Sequence, residues 1–170
     1  SGFEYDTATG ILTVTGSGLK LSGVGKNIML YIKQSVSDIT FENLTLTAGD
    51  MNGVKPDDFG NSGSIGDGQG SADTYLMYVS SNSLKVNING NVMLSKRNTA
   101  TTANLLAIYQ AHLDYDDVTP MSMEFIGGDS PNLTVTGNTY AIQSMGSVDF
   151  SNMTFTAAAE YYGVHAETIR

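Results

Sequence analysis

The chain has 170 residues, no cysteine and a formal net charge of −9, enough length for one domain with a continuous core but with no disulfide or thiolate metal site. Charged residues make up only 15%, below the roughly 25% of an ordinary soluble domain, and the excess of acid repels a phosphate backbone, so nucleic acid is not an expected partner. No apolar run approaches the ~20 residues of a helical membrane span, so membrane insertion is not expected either.

The first predicted element, Phe3 to Thr15, reads as a hairpin turned at Gly10 or as the first rung of a repeat. Next comes a signature, a small or aromatic residue followed by Ile or Val, at Tyr31-Ile32. It recurs at Tyr78-Val79, Ala107-Ile108, Ala141-Ile142 and Gly163-Val164. The intervals are 47, 29, 34 and 22 residues, and the shortest is one repeat of a stacked strand unit without inserts.

From Ser37 to Ala48 the pattern has period two, with Ile39, Phe41, Leu44 and Leu46 apolar and Thr45 and Thr47 between and beyond. Such alternation turns the apolar set inward and the threonines outward. The break at Asn43 reads as a corner, because asparagine tolerates a left-handed backbone. Val86, Ile88, Val92 and Leu94 repeat the pattern, as do Val148, Phe150, Met153 and Phe155. Segments beginning at Asn43, Asn91, Asn132 and Asn152 resemble one another, and Ser37–Ala48 aligns with Gly146–Ala157 at five identical positions in twelve. The three Asn-x-Thr sequons at Asn43, Asn132 and Asn152 therefore read as corners rather than as glycosylation sites. No stretch has a helical period; Thr99 to Leu113 reads as loop plus strand. The last units run from Tyr140 to Thr156 and from Tyr162 to Ile169, where no polar cap closes the stack. Beginning at Ser1-Gly2 and stopping at Ile169-Arg170, the chain reads as a piece of a longer polypeptide, whose neighbouring domains are expected partners.

The patterns Phe3-x-Tyr5-Asp6-x-x-Thr9-x-x-Leu12-Thr13-Val14 and Leu133-Thr134-Val135-Thr136-Gly137-Asn138-x-Tyr140-Ala141-Ile142-Gln143-Ser144 resemble the β-helical repeat regions of secreted and cell-wall proteins of gut bacteria. Those regions are described as carbohydrate-binding-like. The resemblance covers most repeat units but not 48–74 or 95–104. It implies a right-handed parallel β-helix and an extracellular or cell-wall-attached bacterial location, and carries no site residue across.

Three groups of residues are candidates for chemistry. The acidic, glycine-rich insert 48–74 holds Asp50, Asp57, Asp58, Asp67 and Asp73. Within it Asp67, Gln69, Ser71 and Asp73 alternate, so their oxygens can converge on a hard cation such as Ca²⁺. Ala72 stands where an EF-hand loop needs glycine and no terminal glutamate follows, so a solvated loop with no cofactor is the first reading. Asp114 and Asp116, if on a strand, lie ~7 Å apart on one face, near the ~6.5–9.5 Å of an inverting glycosidase. With Asp149 they form the catalytic set of an alternative reading, a polysaccharide hydrolase or lyase. The motifs of β-helical pectinases are absent, and Asp117-Val118-Thr119-Pro120 reads as a turn. The third group is aromatic: Tyr109, Tyr161 and Tyr162 are candidate outward platforms for a sugar ring, while Tyr31, Tyr78 and Tyr140 sit in the repeat itself. His112 and His165 receive no role.

These readings combine into one expectation: an all-β, single-stranded right-handed parallel β-helix of about six rungs, spanning 1–170 with loop inserts. Its expected function is non-catalytic, a cell-surface or secreted module that adheres to a host surface protein or binds a glycan. Loops 48–74, 95–104 and 111–122 would form a shared recognition edge. A ligand-free spacer stalk is the remaining alternative.

Overall fold

A computed structural model describes residues 2–48, 74–96, 105–114 and 116–170. All regular structure among them is β-strand. The first strands are β1 (Phe3–Asp6), β2 (Ile11–Val14), β3 (Leu19–Lys26), β4 (Met29–Ile32) and β5 (Asp38–Ala48). They are followed by β6 (Thr74–Val79), β7 (Ser83–Asn89), β8 (Asn91–Lys96), β9 (Leu105–Gln110), β10 (Ser122–Gly127) and β11 (Asn132–Thr136). The last are β12 (Tyr140–Ser144), β13 (Ser147–Ser151), β14 (Thr154–Ala158), β15 (Tyr162–His165) and β16 (Thr168–Ile169).

The strands form two curled sheets between which the chain alternates. One has seven strands in the order β1-β2-β4-β6-β9-β12-β15; the other has nine, with β5 long enough to pair with both β7 and β8 on one side and with the whole of β3 on the other. β1 and β2 pair antiparallel across the hairpin that ends at Gly10 (φ 75°), and every other described pairing is parallel. Between the sheets lies one apolar core. Ile39, Phe41, Leu44 and Leu46 are buried, as are Val86, Ile88, Val92 and Leu94, while Thr45 and Thr47 are partly exposed. The inward alternation predicted from the sequence holds. Phe150, Met153 and Phe155 are only partly buried because the stack thins out at β14, β15 and β16.

The corner asparagines split into two kinds. Asn43 (φ 47°) and Asn152 (φ 55°) take the left-handed conformation, whereas Gly90 (φ 66°) and Ser130 (φ 47°) hold the bend ahead of Asn91 and Asn132. Asn91 and Asn132 instead open their strands, in register with each other, and the Asn132 amide Nδ2 donates to Asn91 Oδ1 at 3.3 Å.

Register departs from sequence similarity at the last unit. Asn132 pairs with Thr154 and Leu133 with Phe155, a slide of two residues from the Asn132/Asn152 alignment. The bend around Ser130 and Pro131 is longer than the one at Asn152, and a two-residue slide leaves every side chain on its original face. A separate two-residue offset, between β6 and β9, divides the Ile/Val signature. Ile108, Ile142 and Val164 stand in one ladder, while Ile32 and Val79 stand two residues further along the strands, in register with Gln110.

Candidate functional site

One ladder crosses the whole seven-stranded sheet: Glu4, Thr13, Tyr31, Tyr78, Tyr109, Gln143 and His165 are register partners, strand to strand. None of the seven is aliphatic. Its neighbour in the pleat, Leu30, Met77, Ile108, Ile142 and Val164, is wholly aliphatic or thioether and packs in the core. The middle of the polar ladder is buried. The Tyr31 and Tyr78 rings lie 5.9 Å apart, Tyr78 and Tyr109 5.8 Å, and Tyr75 stacks on Tyr109 at 4.7 Å. Burial raises the pKa of the Tyr78 phenol far above the ordinary tyrosine range, and that of Tyr31 in the same direction. Both phenols find partners, as buried hydroxyls must. Tyr78 Oη donates to the carbonyls of Ala111 and His112, and Tyr31 Oη accepts from Ser80 Oγ.

Tyr109 is therefore a correction. It was expected to face outward but is only 1% exposed, because Tyr75 and Tyr78 enclose its ring. It can hold the sheet together and cannot present a face to a ligand.

Toward its C-terminal end the ladder opens. Tyr140 and Tyr162 stack across β12 and β15 with 5.7 Å between centroids and 7° between planes. The His165 ring joins both, at 5.4 Å from Tyr140 and 5.6 Å from Tyr162. Tyr162 is 55% and Tyr161 71% exposed, and His165 is exposed. The turn before β15 is stitched to the preceding unit. Glu160 N donates to Asn138 O, and the amides of Tyr161 and Tyr162 both donate to Thr139 O. Gln143, between Tyr109 and His165, keeps a side-chain carbonyl with no hydrogen-bond partner among the described residues. The result is a stack of rings in which Tyr162 and His165 are exposed and Tyr140 is half-buried against the core, with the Gln143 carbonyl buried.

The carboxylate candidates are dispersed into structural roles. Asp114 and Asp116 lie in a turn, not on a strand, so the ~7 Å strand-step separation does not apply to them. Asp114 Oδ1 accepts from the Asp116 amide at 3.1 Å, and Asp117 Oδ1 accepts from the Thr119 amide at 2.9 Å. Asp117 Oδ2 also meets His112 Nδ1 at 3.3 Å, which gives that buried histidine a place in the turn. Asp149, on β13, pairs with Arg170 Nε at 2.9 Å. Among the described residues no three of His, Cys, Asp and Glu stand where they could hold a metal ion. Asp67, Gln69, Ser71 and Asp73 lie outside the described residues.

Sequence reasoning missed two features. His165 and Gln143 belong to the aromatic end through register, a relation across strands that spacing along the chain does not display. Lys96 is fully buried, since it follows Val92 and Leu94 on the inward face of β8, and its side chain is not left without a partner. Comparison with family models, curated proteins and solved structures gives no match. No described helix is long and apolar enough to cross a membrane.

Proposed function

We propose that the chain is a right-handed parallel β-helix of about six rungs that serves as a non-catalytic, glycan-binding module of a secreted or cell-wall-attached bacterial protein. Six strands of the seven-stranded sheet, β2, β4, β6, β9, β12 and β15, follow one another in chain order and pair in parallel. Each would open one rung, which supports the helical winding. The observation that carries the binding reading is the pair of exposed rings, Tyr162 and His165, stacked on half-buried Tyr140, with exposed Tyr161 beside them. Stacked rings on a rigid sheet offer flat apolar faces with polar edges, and a pyranose presents C–H groups on one face and hydroxyls around its rim. Net charge of −9 favours neutral over anionic glycans.

A glycan array probed with the purified chain, with calcium and again with chelator, tests the reading. Binding to one class of neutral glycan, retained in chelator and lost in Tyr162→Ala, is the expected result. No binding under either condition would transfer the weight to adhesion through protein contacts or to a spacer role. Binding lost only with chelator would direct attention to Asp67, Gln69, Ser71 and Asp73.

A further inference from the structure

The N-terminal end of the same ladder carries a chemically different site. An open cleft of about 340 Å³ lies over β1, β2 and β4, within the size range of small-ligand sites. Ile11, Thr13 and Tyr31 line it, with Glu4 and Lys33 among its charged residues. Tyr31 is 4% exposed, so no ring face is offered and a stacking sugar finds no platform here. Three inter-strand steps, ~14 Å, separate β4 at the edge of this cleft from β12, the first strand of the aromatic array.

Recognition in the cleft must come from charge. Two of its polar residues are already committed: Asp6 accepts from the Ala8 amide and from Thr9 Oγ1, both at 2.9 Å, and this pair closes the hairpin turn. The Glu4 carboxylate and the Lys33 ammonium are different. Both are exposed, and neither holds an ion pair or side-chain hydrogen bond among the described residues. Glu4 stands two strands from Tyr31 in the ladder, and Lys33 stands two residues beyond Tyr31. Strand spacing then sets their Cα atoms ~12 Å apart. A cationic and an anionic group thus border one cleft without neutralising each other.

We propose that this cleft binds a small zwitterion, with its ammonium against Glu4 and its carboxylate against Lys33. A ligand of one sign engages only one of these groups, and a purely anionic one also meets two carboxylates. A zwitterion makes a charge-assisted hydrogen bond at each end, and the Thr13 hydroxyl is available to its middle.

The test is an amide-resolved NMR titration of the full 170-residue chain with four probes: 4-aminobutyrate, butylamine, butyrate and glucose. Saturable shifts at Thr13, Tyr31 and Lys33 are expected with 4-aminobutyrate, with affinity about tenfold weaker for either single-charge probe, the size of one lost charge-assisted contact. Glu4→Gln and Lys33→Gln change exposed residues and should preserve the spectrum elsewhere. Each should bring 4-aminobutyrate down to the affinity of the corresponding single-charge probe. No shifts at these residues, equal affinity for butylamine, or shifts with glucose of the same size would overturn the proposal.

Discussion

Two carboxylates and two phenols set the pH behaviour of individual residues, with opposite signs. The Ala8 amide, followed by the Thr9 hydroxyl, holds Asp6 below the ordinary aspartate value of 3.8. The hydroxyl and amide of Thr119 do the same for Asp117, with His112 adding a smaller pull. A carboxylate whose folded pKa is depressed contributes stability that is complete above its unfolded value and is lost as pH falls through the folded one. Melting temperature should therefore drop below about pH 4. Asp6→Asn combined with Asp117→Asn should flatten that limb, and an unchanged limb in the double variant would contradict the assignment. Tyr78 behaves in the opposite sense. Burial holds its phenol neutral, so folding resists its ionisation and stability declines as pH rises above the ordinary 10.0. In ultraviolet titration Tyr78 should ionise only as the chain unfolds. An early, reversible ionisation of all nine tyrosines without loss of structure would show the burial to be wrong.

Bends decide how strand follows strand. Asn152 at φ 55° occupies a region that costs a residue with Cβ and no local hydrogen-bonding group about 1–2 kcal/mol. Asn152→Ala should destabilise by that amount, and Asn152→Gly should be neutral to within a few tenths. Chemical denaturation measures both. Gly146→Ala should cost more, because its Cβ would collide with the backbone carbonyl of Met121 on the unit before. Period-two alternation made Ile39 to Leu46 and Val86 to Leu94 legible as strands, because burial on one face requires that pattern. Similarity between Ser37–Ala48 and Gly146–Ala157 also revealed the repeat. It did not reveal which residues pair, because sliding by two preserves the inward set and leaves the apolar pattern unchanged. Lys96 was opaque for a related reason. A lysine at the end of an apolar row reads as solvated unless its strand parity is followed to the last residue. Asp114 and Asp116 show the converse, since Asp117-Val118-Thr119-Pro120 already marked a turn that the strand-based separation ignored.

Over the whole molecule, one core joins two sheets, so damage at its centre spreads. Phe125 is fully buried on β10 and stacks on Phe150 at 5.3 Å. Phe125→Ala should cost about 3–5 kcal/mol, read as a fall in denaturation midpoint; a loss under 1 kcal/mol would mean the stack closes over the gap. Buried and exposed tyrosines follow from the same architecture: the ladder is enclosed at Tyr31, Tyr78 and Tyr109 and open at His165, beside which half-buried Tyr140 and exposed Tyr162 stack. Tyr161 and Tyr162 were legible as outward candidates in the sequence, and both are exposed where the chain enters β15. The rest of the array was not, since Tyr140, Gln143 and His165 meet only once β12 and β15 are in register. The proposal that the open end binds glycan yields a direct measurement with an internal control. Tyrosine rings labelled with carbon-13 can be followed by NMR while a neutral oligosaccharide selected on the array is added. Tyr140, Tyr161 and Tyr162 should shift and saturate together while Tyr31, Tyr75, Tyr78 and Tyr109 stay fixed. Binding that leaves these three rings unmoved would place the glycan elsewhere and contradict the account.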